Sequence, residues 1–245
     1  DALEKFKEVI FEEKIINLRC KPYMPDTPEN QKIFSIISKS NYSFTSPKSN
    51  ILKIVSDEEF LKKVKKKHRY YIKQSEKAEL TWKNYSGSET AKVFSIVYNE
   101  MKESKNLNLP IIDIDAFSKI LGLNKDGKSR LFTFTGLENN KPVSVCVVSI
   151  LDNKAFYHYA ASTDRGRVTS ASYGMIFNLI KELRNLSVDE LDFGGISADG
   201  SSAGVDFFKL GFNGEELLKT GEFDISKSKV YSYVFSKLLQ FKKNL

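Results

Sequence analysis

Between Ser129 and Ala161 the chain carries three successive runs rich in β-branched and aromatic residues: Ser129 to Leu137, Pro142 to Leu151 and Ala155 to Ala161. Only Glu138-Asn139-Asn140-Lys141 and Asp152-Asn153-Lys154 separate them, and this turn chemistry predicts a three-stranded antiparallel meander. Residues 88–104 and 113–121 have helical spacing before it, the first placing Val93, Phe94, Val97, Tyr98 and Met101 on one side. After it, 170–184 form a helix with Tyr173, Ile176, Phe177, Ile180 and Leu183 inward, followed by a strand at 190–193 that ends in Gly194-Gly195. A helical turn at Phe207 to Leu210, a strand over 215–223 and a helix over 230–243 close the chain.

The amino-terminal part reads as a helix over 2–14, a strand over 15–20 stopped by Lys21-Pro22, a Pro-rich loop, a helix from Gln31 to Ser38 and a strand from Ser49 to Val55. Asp57 is an N-cap candidate for a helix running through 73, with an apolar stripe of Leu61, Val64, Tyr71 and Ile72. Its other faces carry Lys62, Lys63, Lys65, Lys66, Lys67, Arg69 and Lys73, the densest positive stretch in the chain. A further strand is expected near 80–84.

Composition limits the chemistry. With 41% hydrophobic and 28% charged residues, 245 residues suffice for one large or two modest folded domains. Two histidines exclude a multi-histidine metal centre, and Cys20 and Cys146 sit in apolar runs without zinc or disulfide spacing, which fits a reducing, cytoplasmic setting. No window approaches the roughly 20 apolar residues of a membrane span. The formal charge is +7, and only six of the 38 basic residues are arginine. Such an excess attracts anionic partners, yet it is also what a solvated lysine surface looks like, and composition leaves both readings open.

Four phrases go further: Tyr157-His158-Tyr159-Ala160-Ala161-Ser162; Ser172-Tyr173-Gly174-Met175-Ile176; Leu191-Asp192-Phe193-Gly194-Gly195-Ile196; and Gly204-Val205-Asp206-Phe207-Phe208-Lys209-Leu210-Gly211-Phe212-Asn213-Gly214-Glu215. In this order they resemble the FemABX family, within the GNAT-like acyltransferases. The segment Lys66 to Lys77 resembles that family's basic helix at the entry of its second domain. The resemblance covers roughly 57–245 and implies a mixed α/β GNAT-like fold: a complete copy over 57–245 preceded by a partial copy over 1–56. It implies an acyltransferase that forms an amide on an amine of a peptidoglycan precursor, lipid-linked or UDP-linked. The donor would be aminoacyl-tRNA, with no cofactor and no metal. A lipid-linked acceptor extends the reading to contact with the inner face of the membrane.

Lys209 is the residue favoured for chemistry, since the family's lysine in that phrase contacts the donor and a fixed cation stabilises the oxyanion of an attacked ester or thioester. Asp192 is paired with it as a catalytic candidate. Arg69, whose guanidinium can fork onto phosphate or carboxylate, joins Lys66, Lys73, Tyr157, Tyr159, Tyr173, Gly194, Gly195, Phe208 and Phe212 as substrate-binding candidates. Strand alternation sets His158 opposite Tyr157 and Tyr159, as a packed histidine or a general base, and it is left out of the catalytic set. Asp113 and Asp115 read as helix caps. Arg167 to Ser172 matches poorly the glycine-rich turn that holds the pyrophosphate of coenzyme A, which argues against acyl-CoA as donor. An acyl-CoA-dependent N-acyltransferase and a non-catalytic module binding tRNA or an anionic precursor are the other two readings.

Overall fold

A computed structural model describes every residue except 1, 41, 42, 44, 123–128, 198, 199, 201, 244 and 245. In chain order the elements are α1 (Ala2–Glu12), β1 (Asn17–Cys20), α2 (Pro28–Ile33) running into a 3-10 turn (Phe34–Ile36), β2 (Ser38–Lys39) and β3 (Lys48–Lys53). Next come α3 (Asp57–Lys63), α4 (Lys66–Lys77), β4 (Thr81–Ser86), α5 (Glu89–Ser104) and α6 (Ile114–Gly122). The meander follows as β5 (Ser129–Glu138), β6 (Lys141–Leu151) and β7 (Lys154–Ser162). Then α7 (Asp164–Val168), α8 (Ala171–Asn185), β8 (Glu190–Gly195), α9 (Ala203–Leu210), β9 (Glu215–Leu218), β10 (Phe223–Ser226) and α10 (Lys229–Lys243) complete it.

The chain forms two compact units that interleave along the sequence instead of dividing at 56/57: one comprises 1–49, 195–202 and 216–245, the other 50–194 and 203–215. In the first, β10 lies between β1 and β2 in an antiparallel sheet, over a core of Ile10, Phe34, Ile37, Phe223 and Ile225. Arg19 on β1 forks onto Asp224 on β10 at 2.7 and 2.9 Å, and Ser232 and Ser236 of α10 bond to the same pair. Asp224 is buried and the Arg19 side chain is largely so, and this mutual pairing is what makes their desolvation tolerable.

In the second unit β4, β5, β6 and β7 are antiparallel, as the meander requires, and β7 and β8 are parallel. Within this unit the strands run in the order β4-β5-β6-β7-β8-β3. Val143 to Ile150 of β6 are all buried because helices cover both faces of the sheet. Cys146, Val148 and Ile150 face Met175, Ile176 and Leu179 of α8, while Val145 and Val147 face Phe94 and Val97 of α5.

Four expectations are corrected. The helix expected over 57–73 breaks at Val64 and Lys65, both extended, because fully buried Val64 turns into the core and the Lys65 amide bonds to the Gly211 carbonyl at 2.9 Å. Its N-cap is Ser56, whose Oγ accepts from the Glu59 amide, whereas Asp57 binds Arg184 at 2.7 Å. The strand expected over 215–223 is two strands in different sheets, parted at Gly221, whose φ of +104 suits glycine. The helix expected from Gln31 begins at Pro28 under a Thr27 cap and gives way to the 3-10 turn before Ser38.

Where α8 crosses α4, a Cβ on Gly174 would stand 2.1 Å from Ser75 Oγ and 3.1 Å from Trp82, so the close approach requires glycine. Gly174→Ala should destabilise by about 1–3 kcal/mol, an overpacking effect read as a lower thermal midpoint. Gly204→Ala in α9 meets nothing within 4 Å and should instead stabilise by about 0.4–1 kcal/mol in the same melt.

Candidate active site

Parallel strands β7 and β8 pair at Lys154↔Glu190, Ala155↔Leu191 and Phe156↔Asp192, and the pairing goes no further. On the other edge of β7 the register jumps from Val148↔Tyr157 to Val147↔Tyr159, leaving His158 as the extra residue of a bulge. Residues 158–160 are consequently exposed although β7 is an interior strand of the sheet. An interior strand with open residues beside a parted neighbour is a cleft in the sheet, and parallel strands parting at their carboxyl ends are where α/β folds take ligands.

The bulge also corrects the expected alternation. Tyr157 packs edge-on against Phe193 at 4.8 Å on the α8 side, while Tyr159 lies 6.2 Å from Phe94 on the α5 side. His158 therefore shares a side with Tyr159: its Nε2 is 2.7 Å from Ser149 Oγ and its ring meets Phe117 of α6 edge-on at 4.6 Å. Although the residue keeps an exposed part, the ring loses hydration where it meets Ser149 and Phe117, which pushes the imidazole down to about 4 against the pull of Asp192.

The parting exposes the end of β8 to α9. A Cβ on Gly194 would lie 3.2 Å from Lys209 Nζ and 3.6 Å from the Tyr157 carbonyl oxygen, and φ at Gly194 is +83. The backbone conformation is what calls for glycine there, and the ammonium lies close over it. Asp192, buried on β8, accepts the Gly194 amide hydrogen at 2.7 Å through Oδ1. Burial pushes the Lys209 amine below its ordinary value, while the charges of Asp206 and Asp192 pull the other way. Asp206, one turn before Lys209, is also buried and was not singled out from the sequence, although it lies within the phrase that drew attention to Lys209.

The structure thus brings Lys209, Asp192, Gly194 and Tyr157 together. Tyr173, Phe208 and Phe212 form an aromatic wall behind them, with Phe208 and Phe212 at 5.3 Å and Tyr173 and Phe208 at 5.1 Å. Gly195 is exposed, and a Cβ there would meet Ser46 at 3.0 Å. Arg69 is turned to the end of α3, where its Nη1 donates to the carbonyls of Leu61 and Val64. Lys66 and Lys73 are exposed on α4. Asp113 caps α6, its Oδ1 accepting the Ala116 amide at 2.8 Å. Ahead of α8, Ser170 is left-handed at φ +55 where a phosphate-binding turn would carry glycine. Among the described residues no group of His, Cys, Asp and Glu could hold a metal ion.

His68 of α4, noted in the sequence only as one of two histidines, lies buried within this wall, 4.9 Å from Tyr173, 5.1 Å from Phe207 and 5.2 Å from Phe212. Desolvation is the main cause that holds its pKa below the ordinary value. The folded state therefore resists a proton that the unfolded chain takes up near pH 6.5, so stability is full above about pH 6.5 and declines as the pH falls towards the folded pKa. Denaturant unfolding should show a loss between pH 7.5 and 5.5 that is smaller in His68→Gln; equal losses in the two proteins would contradict the assignment.

The scaffold has the mixed α/β fold of the GNAT-like class. Residues 130–240 match the model described as the FemAB family, which bears out the FemABX resemblance. The crystal structure of FemX is similar at a TM-score of 0.73 and 16% identity, covering 96% of this chain and 78% of that one. The C-terminal domain of a lysylphosphatidylglycerol synthetase from Agrobacterium fabrum matches at 0.61 and 8%, over 96% of this chain and 78% of that one. A tandem GNAT protein from the clavulanic acid biosynthesis pathway matches at 0.51 and 12%, over 91% and 68%. At these identities the likenesses speak for the fold. No curated protein matches the chain by sequence.

Proposed function

We propose that the chain is an aminoacyltransferase that forms an amide on an amine of a peptidoglycan-type cell-envelope precursor, with aminoacyl-tRNA as donor. The observation that carries this reading is the Lys209 ammonium lying over Gly194 where β7 and β8 part, in a segment that matches the FemAB family. The likeness to a lysylphosphatidylglycerol synthetase domain supports an aminoacyl group as cargo and an envelope component as acceptor.

The geometry suits a direct transfer. The acceptor amine attacks the ester carbonyl of the donor, the new C–N bond forms, and the carbonyl oxygen gains negative charge that a fixed ammonium stabilises. Collapse breaks the ester C–O bond and releases the tRNA hydroxyl, which takes up a proton, while the amine gives up its own to water or substrate. The charges of Asp192 and Asp206 oppose the loss of a proton from the partly buried amine, and Asp192 also fixes the Gly194 turn. Direct attack without a covalent enzyme intermediate fits the thiols: burial pushes both Cys146 and Cys20 up and away from thiolate. The exposed lysines of α4 suit the tRNA backbone or the pyrophosphate of the precursor. No helix among the described residues is long and apolar enough to cross a membrane, and a lipid-linked acceptor would bring the protein to the inner membrane face as a peripheral visitor.

Labelled aminoacyl-tRNA pools and acetyl-CoA, each offered with lipid-linked or UDP-linked muropeptides, test the donor directly. Label should pass from aminoacyl-tRNA, and Lys209→Ala should lower kcat/KM by roughly 10²–10³-fold, the usual effect of removing an oxyanion-stabilising group, with an unchanged melting profile. Transfer from acetyl-CoA alone would overturn the donor reading.

A further inference from the structure

Helix α9 is only eight residues long, and Asp206 is its one buried residue. Phe208 packs against the core, but Phe207 and Leu210 are 47% and 40% exposed, so few side chains of this helix pin it. Its carboxyl end is instead held from outside. The last carbonyls of a helix lack intrahelical donors and must find others. Here the Phe208 carbonyl lies 3.0 Å from His68 Nε2, the Lys209 carbonyl accepts from Asn50 Nδ2 at 2.8 Å, and the Gly211 carbonyl accepts from the Lys65 amide at 2.9 Å.

Both side-chain donors are built in. His68 and Asn50 are each 1% exposed. A carbonyl can only accept, so His68 Nε2 carries the hydrogen; the buried Nδ1 has no protein partner, which fits the neutral ring. Edge-on contacts with Tyr173 and Phe212 hold the ring in place. Gly211 closes over it so tightly that a Cβ there would stand 2.0 Å from the imidazole. Asn50 is likewise enclosed: a Cβ on Gly214 would stand 2.4 Å from its Oδ1.

We propose that His68 and Asn50 are positioning residues for Lys209: each binds one carbonyl at the end of α9, and together they fix the point from which the lysine side chain reaches Gly194. This rests on the reading of Lys209 as the cation of the transfer reaction. Neither residue touches the reacting atoms. They act through the backbone of Phe208 and Lys209, where a displacement of about 1 Å can cost as much as 10²-fold in rate.

The test uses His68→Leu, which removes the donor; His68→Gln, whose amide restores one near the Nε2 position; and Asn50→Ala, which loosens the same helix from another element. Each is made alone and with Lys209→Ala, and thermal unfolding confirms that each is folded. In the transfer assay His68→Leu and Asn50→Ala should lower kcat roughly 10–100-fold with KM little changed, and His68→Gln should recover most of the loss. With Lys209→Ala the same substitutions should have almost no further effect, since their route to the chemistry is gone. A second readout is independent of transfer: lysines are reductively methylated with ¹³C, the Lys209 resonance is assigned by its absence from Lys209→Arg, and its pH titration is followed. Both donor-removing variants should shift that titration upward, towards an ordinary lysine, and His68→Gln should not. Losses that multiply in the Lys209→Ala background, or an unchanged Lys209 titration in both variants, would overturn the proposal. If the wild-type protein transfers nothing from aminoacyl-tRNA, the function reading falls, while the titration still decides the positioning.

Discussion

The parting of β7 from β8 after three parallel pairs is the constraint on which the site depends. Parallel strands that stay paired bury their backbone groups, and no ligand can approach them. The bulge at His158 starts the departure on one side, and the Gly194 turn completes it on the other. The open residues of β7, the Tyr157 carbonyl and the strand-end glycine are thereby placed around one gap, which an aliphatic side chain at position 194 would close.

A gap needs a charge to become a site, and α9 brings one. Few side chains of that helix pin it, so its placement depends on polar contacts from α4 and β3 and on the close approach at Gly211. Lys209 is then partly desolvated, with Asp192 and Asp206 opposing the loss of its proton. An ammonium that is poorly hydrated yet still charged interacts more strongly with a developing oxyanion than one in bulk water, because less solvent screens it.

Much of the scaffold was legible from periodicity. The meander, α5, α6, α8, β8 and α10 fall where the apolar spacing puts them, since each buries a regular stripe. The misreadings share one cause, which is that long-range partners override local pattern. The 57–73 helix has continuous helical spacing, yet the Gly211 carbonyl captures the Lys65 amide and Arg69 caps the broken end. The run over 215–223 is continuous by composition but serves two sheets. Period-two alternation at Tyr157-His158-Tyr159 is undone by a bulge whose cause lies in the register with β6.

The order and type of most elements, and the family-like phrases that point to acyl transfer, belong to the sequence alone, because apolar period and turn chemistry are local properties. Lys209, Asp192 and Gly194 could be nominated there, since they stand in phrases of recognisable wording. Only the tertiary structure decided that Lys209 Nζ lies over Gly194, that Asp206 joins Asp192 beside it and that Arg69 is turned to the end of α3. It also showed that His68 and Asn50, neither of them in a motif, hold the end of α9. Hydrogen bonds between residues some 140 and 159 positions apart leave no local trace in the chain, because the partners meet only once the sheet and its helices have assembled.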